Sequence, residues 1–293
     1  MSGPGFSTPS LVLGEQVVQI EPCRWGFTNV TSIATLASGR RVILQQIAHI
    51  ERANAIVHLT QTLPDLLIAA GIACPHLLAS DLHANPALLI REYIPGEAAN
   101  TMLSDDEAAI RLAAQMGRLI PLLATIPPPN WLDQTWADPQ RLAAMATGWL
   151  VNTQALLTPD DYAILVRDIA TLETEWVAGS CFAHGDFCPV NAIAEHEQVV
   201  ALVDLELARV ASPYFDVAWW GWVVRYHHPQ RWQIAWPHVL AAAGLPNTPQ
   251  TARHVLVLQH LRCLELLEDA RIDHPIALPE WMARFAKTLR WIC

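Results

Sequence analysis

Hydrophobic positions follow two regimes along this chain. Over the first third they gather into short runs of β-branched and aliphatic residues at 17–20, 30–36 and 41–47. Gly26 and the Ser38-Gly39 pair stand between them as turn residues, which predicts three strands. A helix is expected within 53–70, with Pro64 breaking or restarting it. Residues 87–93 read as a further strand, closed by a Pro95-Gly96 turn. After that the spacing becomes helical. Ser104-Asp105-Asp106-Glu107 has the form of a capping box, and Ile110, Ala113, Ala114, Gly117 and Ile120 then fall on one helical face. The prolines at 127–129 limit that helix. Thr158-Pro159 and Thr248-Pro249 open two more, each with proline at the first helical position, and Pro279-Glu280 opens a last one running to about Trp291. A strand–loop–strand island lies at 181–206. Strands first and helices later is an α+β pattern. It predicts a small sheet lobe over 1–94 joined to a larger helical lobe over 95–293.

Composition narrows the classes. With 52% apolar and 16% charged residues among 293, the chain is globular rather than disordered. Its net charge of -10 argues against a nucleic-acid-binding surface and points to a neutral or cationic organic partner. No apolar run approaches the roughly 18 residues of a membrane helix, and residues 1–10 lack the features of a signal peptide, so a cytoplasmic protein is expected. The six cysteines form no CxxC pair, which predicts thiols rather than a zinc site.

The stretch that carries chemistry is Cys181-Phe-Ala-His-Gly-Asp-Phe-Cys-Pro-Val-Asn191, followed by Val200-Ala-Leu-Val-Asp204-Leu-Glu206. An apolar strand delivers His184, Gly185 and Asp186 onto a loop. Asn191 follows Asp186 by five residues, and a second apolar strand delivers Asp204 thirteen residues later. A hairpin between these two strands would gather Asp186, Asn191 and Asp204 at one end. Phosphoryl transfer needs a carboxylate to orient the attacking hydroxyl and take its proton, and hard oxygen ligands for a magnesium ion.

His-Gly-Asp-x-x-x-x-Asn followed by a hydrophobic Asp-x-Glu strand resembles the aminoglycoside phosphotransferase family, which includes choline, homoserine and sugar kinases. The resemblance implies a protein-kinase-like two-lobe fold and an ATP- and Mg2+-dependent phosphotransferase acting on a hydroxyl of a small molecule. It makes Asp186 the catalytic base and Asn191 and Asp204 the magnesium ligands. Ser212-Pro-Tyr-Phe-Asp216-Val-Ala218 resembles the family's downstream segment, in which Asp216 bonds the backbone of the catalytic loop from the start of a helix. Gly26 and Asn29, within Trp25-Gly-Phe-Thr-Asn29, occupy the place of the family's glycine-rich turn over the nucleotide phosphates. Glu92 and Ile94, in the 87–96 segment, occupy the place of the interlobe linker whose backbone pairs with adenine.

The third strand departs from the pattern. Where the family carries Lys or Arg for the phosphates, this chain offers Gln45 or Gln46, Gln45 being a trait similar to N-acetylhexosamine kinases; Arg41 is an alternative cation and Glu51 the nearest acid on the next helix. Only eleven residues separate Asp204 from Asp216, too few for the activation segment that holds a peptide, so the acceptor is expected to be small. Tryptophans 219, 220, 222, 232, 236 and 281 read mainly as core. Glu265, Glu268 and Asp269 read as a solvated acidic face, with binding of acceptor amines as the other reading. An active kinase and an inactive nucleotide- or ligand-binding protein both stay open here, as do acceptor identity, ATP against GTP, and monomer against dimer.

Overall fold

The computed structural model describes residues 9–23, 30–177 and 179–292. Seven strands and one helix come first: β1 (Leu11–Val12), β2 (Glu15–Pro22), β3 (Val30–Leu36), β4 (Arg41–Ile47), α1 (Ile50–Ala69), β5 (Leu77–Asp81), β6 (Ala87–Glu92) and β7 (Glu97–Ala98). Strands β1 to β6 form one antiparallel sheet in the order β1-β2-β3-β4-β6-β5. Alternation along the strands drives this pairing, because Ala34 and Leu36 of β3 face Val42 and Leu44 of β4 in one buried cluster with Ile90. The β3–β4 turn closes where the Gly39 N–H donates to the Leu36 carbonyl at 2.8 Å. On the other face Ile47, Ala87 and Leu89 pack against Ala53 and Ile56 of α1.

Pro64 does not break α1, contrary to expectation. Helix-interior proline costs about 3 kcal/mol, but Leu63, Pro64 and Leu67 are all buried, and Leu63 and Leu67 belong to the main core of the molecule. Burial of those side chains outweighs the lost hydrogen bond.

The second lobe is helical: α2 (Asp106–Ala124), α3 (Pro139–Thr153), α4 (Pro159–Glu175), α5 (Phe215–His227), α6 (Pro229–Ala242), α7 (Pro249–Asp273) and α8 (Leu278–Thr288). The N-cap of α2 is Asp105, whose carboxylate accepts from the Ala108 N–H at 2.9 Å, so the cap lies one residue later than the capping-box reading placed it. Thr158 and Thr248 cap α4 and α7 as their Thr-Pro sequences predict. Helix α8 ends at Thr288, short of Trp291. Trp136, Trp220 and Trp222 are fully buried, and Trp219 stacks on Trp222 with ring centroids 4.6 Å apart, so these tryptophans build the core. Among the described residues the five cysteines are free, and no helix is long and apolar enough to cross a membrane.

Between α4 and α5 lie β8 (Cys181–Ala183), β9 (Ala192–Glu195), β10 (Gln198–Leu202) and β11 (Arg209–Ala211). The expected hairpin forms differently. Strand β10 pairs with β9, which follows Asn191, and β8 pairs with β11. The reason is proximity: only two residues join β9 to β10, a shorter and cheaper closure than a β8–β10 pairing.

Candidate active site

The β9–β10 hairpin and the β8–β11 strand pair set the loop from His184 to Asn191 against the turn that begins at Asp204. The Val203 N–H donates to the Asn191 carbonyl at 2.9 Å, and the Val203 carbonyl lies 2.9 Å from His184 Nε2. His184 is therefore a buried strut between the two segments. Gly185 has φ +86°, and a Cβ there would collide with the Leu207 carbonyl, so glycine alone permits this approach of loop and turn. Asp216, in the first turn of α5, reaches under the loop. Its Oδ2 accepts from the His184 N–H at 2.8 Å and its Oδ1 from the Gly185 N–H at 3.1 Å, which is the loop-bonding geometry expected of it.

Asp186 is held from two sides. Trp219 Nε1 donates to its Oδ1 at 2.5 Å, and Asn191 Nδ2 donates to its Oδ2 at 2.7 Å and to its carbonyl at 3.0 Å. These bonds fix the orientation of the carboxylate, which a proton acceptor requires. Trp219 was not singled out for this from sequence. Its position in a tryptophan-rich core run hid it, and only the fold shows the indole N–H aimed at the loop.

Asp204 has φ +65°, a left-handed conformation that Asp and Asn tolerate better than most side chains. Burial and the neighbouring Glu206 and Asp186 carboxylates push its pKa up to about 7, while Arg91 opposes the rise. Its Oδ1 is buried and has no hydrogen-bond partner. An orphaned carboxylate oxygen among other carboxylates suits a cation. Among the described residues no three His, Cys, Asp or Glu side chains group closely enough to hold a metal on their own. The donor set of Asp204 and Asn191 thus fits magnesium, which takes most of its ligands from phosphates and water.

On the nucleotide side, Gln45 is buried and its Nε2 donates to Glu206 Oε1 at 2.7 Å. Arg52 of α1 pairs with Glu206 Oε2 at 3.0 Å, and Arg91 of β6 stands 4.0 Å from Glu206 Oε1. The helix therefore presents a cation, not the acid sought at Glu51. Arg41 is directed elsewhere, donating to the Tyr93 hydroxyl at 2.9 Å with its guanidinium 4.1 Å over the ring. The Glu92 N–H donates to the His76 carbonyl at 3.0 Å and its carboxylate accepts from His76, whereas Ile94 lies beyond the end of β6. Gly26 and Asn29 lie outside the described residues.

Of the acids of α7, Glu265 and Glu268 are enclosed by arginines rather than solvated, while Asp269 is exposed as a solvated face would have it. Glu265 is enclosed by Arg209 at 3.1 Å and by Arg262, and this pairing holds its pKa down at about 2. Glu268 is tied to Arg271 at 2.7 Å and to Asn152 at 2.8 Å. Asp269 sits beside Glu265, with its pKa pushed up to about 6 by desolvation and that charge.

An antiparallel sheet followed by a helical lobe, with Asp186 and Asn191 on one loop and Asp204 on the facing turn, is the arrangement of a kinase-like fold. Residues 19–255 match the phosphotransferase enzyme family (APH), and the chain belongs to that family. No curated protein sequence matches the chain. Its fold is similar to that of macrolide 2'-phosphotransferase MphH from Brachybacterium faecium, at TM-score 0.68 and 18% identity over 96% of each chain. It is similar also to the aminoglycoside phosphotransferase APH(2")-IIIa in its GDP and kanamycin complex, at TM-score 0.72 and 14% identity over 94% of this chain and 92% of that one. A choline/ethanolamine kinase family protein from Mesorhizobium loti gives TM-score 0.66 and 18% identity over 92% and 86%.

Proposed function

We propose that this phosphotransferase moves the γ-phosphate of ATP to a hydroxyl of a small molecule, with Asp186 as the base and Asn191 and Asp204 as magnesium ligands. The observation that carries this is the Asp186 carboxylate, pinned by Trp219 and Asn191 beside the orphaned oxygen of Asp204. Asp186 orients the attacking hydroxyl and receives its proton as the new P–O bond forms. Magnesium, held by Asp204 and Asn191, would supply charge neutralisation along the phosphates. In this reading 1–94 serves the nucleotide, through the backbone at Glu92 and Ile94, Gln45, Gly26 and Asn29. Residues 95–293 carry the chemistry and the acceptor.

The segment from Asp204 to Asp216 is consumed by a turn and β11, which supports an acceptor of small size rather than a peptide. Solved structures of similar fold include complexes with kanamycin and, for a different phosphotransferase, streptomycin. Here Glu265 and Glu268 of α7 are already matched by Arg209, Arg262 and Arg271, leaving Asp269 as the exposed acid of the three, which favours a sugar or amino alcohol over a polycationic aminoglycoside. The free cysteines support work in a reducing compartment, the cytoplasm.

Thermal unfolding with and without MgADP tests the site. Asp186→Ala should keep a magnesium-dependent rise in Tm equal to that of wild type, and Asp204→Asn should lose it. Equal shifts in all three proteins would remove Asp204 from the metal site.

A further inference from the structure

Gln45 leaves β4 without the cation that nucleotide phosphates call for, yet the cleft is not short of positive charge. Arg91 is 7% exposed, and neither its Nε nor its Nη2 has a hydrogen-bond partner. A buried guanidinium with unmet donors is costly unless an acceptor arrives. In the β4–β6 register Arg91 lies opposite Ile43 and Leu89 opposite Gln45, so Arg91 and Gln45 are diagonal neighbours on one face of the sheet. Arg91 also immediately precedes Glu92, the start of the segment expected to meet the base.

Glu206 organises this corner. One oxygen accepts from Gln45 and the other from Arg52, while Arg91 stays 4.0 Å away, within ion-pair range but beyond a hydrogen bond. The carboxylate thus holds Arg91 in place without a hydrogen bond to it.

We propose that Arg91 is the phosphate-binding cation of this enzyme, replacing the strand lysine or arginine absent at Gln45, with Glu206 as its anchor. The ligand is the polyphosphate of a nucleoside di- or triphosphate, which a guanidinium engages through paired N–H donors. This rests on the reading that a magnesium nucleotide binds between the lobes.

Titration calorimetry with MgADP and, separately, with adenosine tests it on wild type, Arg91→Met, Arg91→Lys and the double variant Arg91→Met/Gln45→Lys. Arg91→Met should weaken MgADP on the order of 10- to 100-fold, the worth of a hydrogen bond to a charged group, and leave adenosine affinity unchanged. Arg91→Lys and the double variant, in which a lysine again faces Glu206, should recover most of the loss. The double variant also covers the case in which Arg91→Met fails to fold with one cation fewer beside Glu206. Unchanged MgADP affinity in Arg91→Met, or equal losses for MgADP and adenosine, would overturn the phosphate assignment and leave the kinase reading standing. Failure of wild type to bind either ligand would overturn both.

Discussion

Gly185→Ala and Gly39→Ala form a matched pair. Both glycines have nearly the same left-handed backbone, φ +86° and +84°, so alanine meets the same conformational cost at each, about 1–2 kcal/mol. Their surroundings differ. At Gly39 no atom lies within 4 Å of an added Cβ. At Gly185 that Cβ overlaps both atoms of the Leu207 carbonyl and meets Ala208 N at 3.1 Å. Both obstacles are backbone, so relief requires the His184–Asp186 loop to move away from the turn after Asp204. Overpacking of this kind adds about 1–3 kcal/mol, for a total of about 2–5 kcal/mol at Gly185. The same movement strains the bonds from His184 N and Gly185 N to Asp216, so protection of those amides in hydrogen exchange should fall as well. Urea denaturation of the two variants gives the comparison. Losses that agree within about 0.5 kcal/mol, the scatter of neutral surface changes, would refute the claim that loop and turn are held in contact through Gly185.

Two further outcomes follow from buried groups. Asp216→Asn keeps one acceptor oxygen but sets an amide N–H against a second backbone donor, and should cost about 1–3 kcal/mol in urea denaturation; a smaller loss would show that the loop does not depend on this carboxylate. His254 is buried between the rings of Trp176 and Tyr214, and desolvation lowers its pKa from 6.5 to about 4. A depressed folded-state value means the unfolded chain binds the proton first, so stability held above pH 6.5 is lost as pH falls toward 4. The loss from this group is about 3 kcal/mol, and His254→Gln should remove that part of the pH dependence; an unchanged slope between pH 7 and pH 4 would refute it.

What could be read from the sequence follows from how local each feature is. The spacing of His184, Gly185, Asp186, Asn191 and Asp204 is carried by two short loops, so the chemistry stays visible as a linear motif, and Asp216 is placed by the first turn of a helix. The pairing of the intervening strands was misassigned, yet the three side chains still converge, because the Val203 bonds to Asn191 and His184 tie the loops whichever strands pair. Arg52, Arg91 and Gln45 meet at Glu206 from positions 115 to 161 residues away in the chain. No local pattern announces such a meeting, since it depends on the β4–β6 register and on the docking of α1. Helices α3 and α6 were not predicted, and α6 holds Pro237 in its interior, which tertiary packing overrides as it does for Pro64 in α1. Glu265 reads as solvated in the sequence because its partner Arg209 is identifiable only once β11 and α7 are packed together.

The central claim is that Asp186 drives acceptor-dependent phosphoryl transfer. Its most direct test is ADP release from MgATP by purified protein across a panel of sugars, amino alcohols and aminoglycosides, with Asp186→Ala alongside. The account predicts release that requires an acceptor, is strongest with a sugar or amino alcohol, and disappears in the variant. Release that persists in Asp186→Ala, or silence across the panel from a protein that binds MgATP, would contradict it.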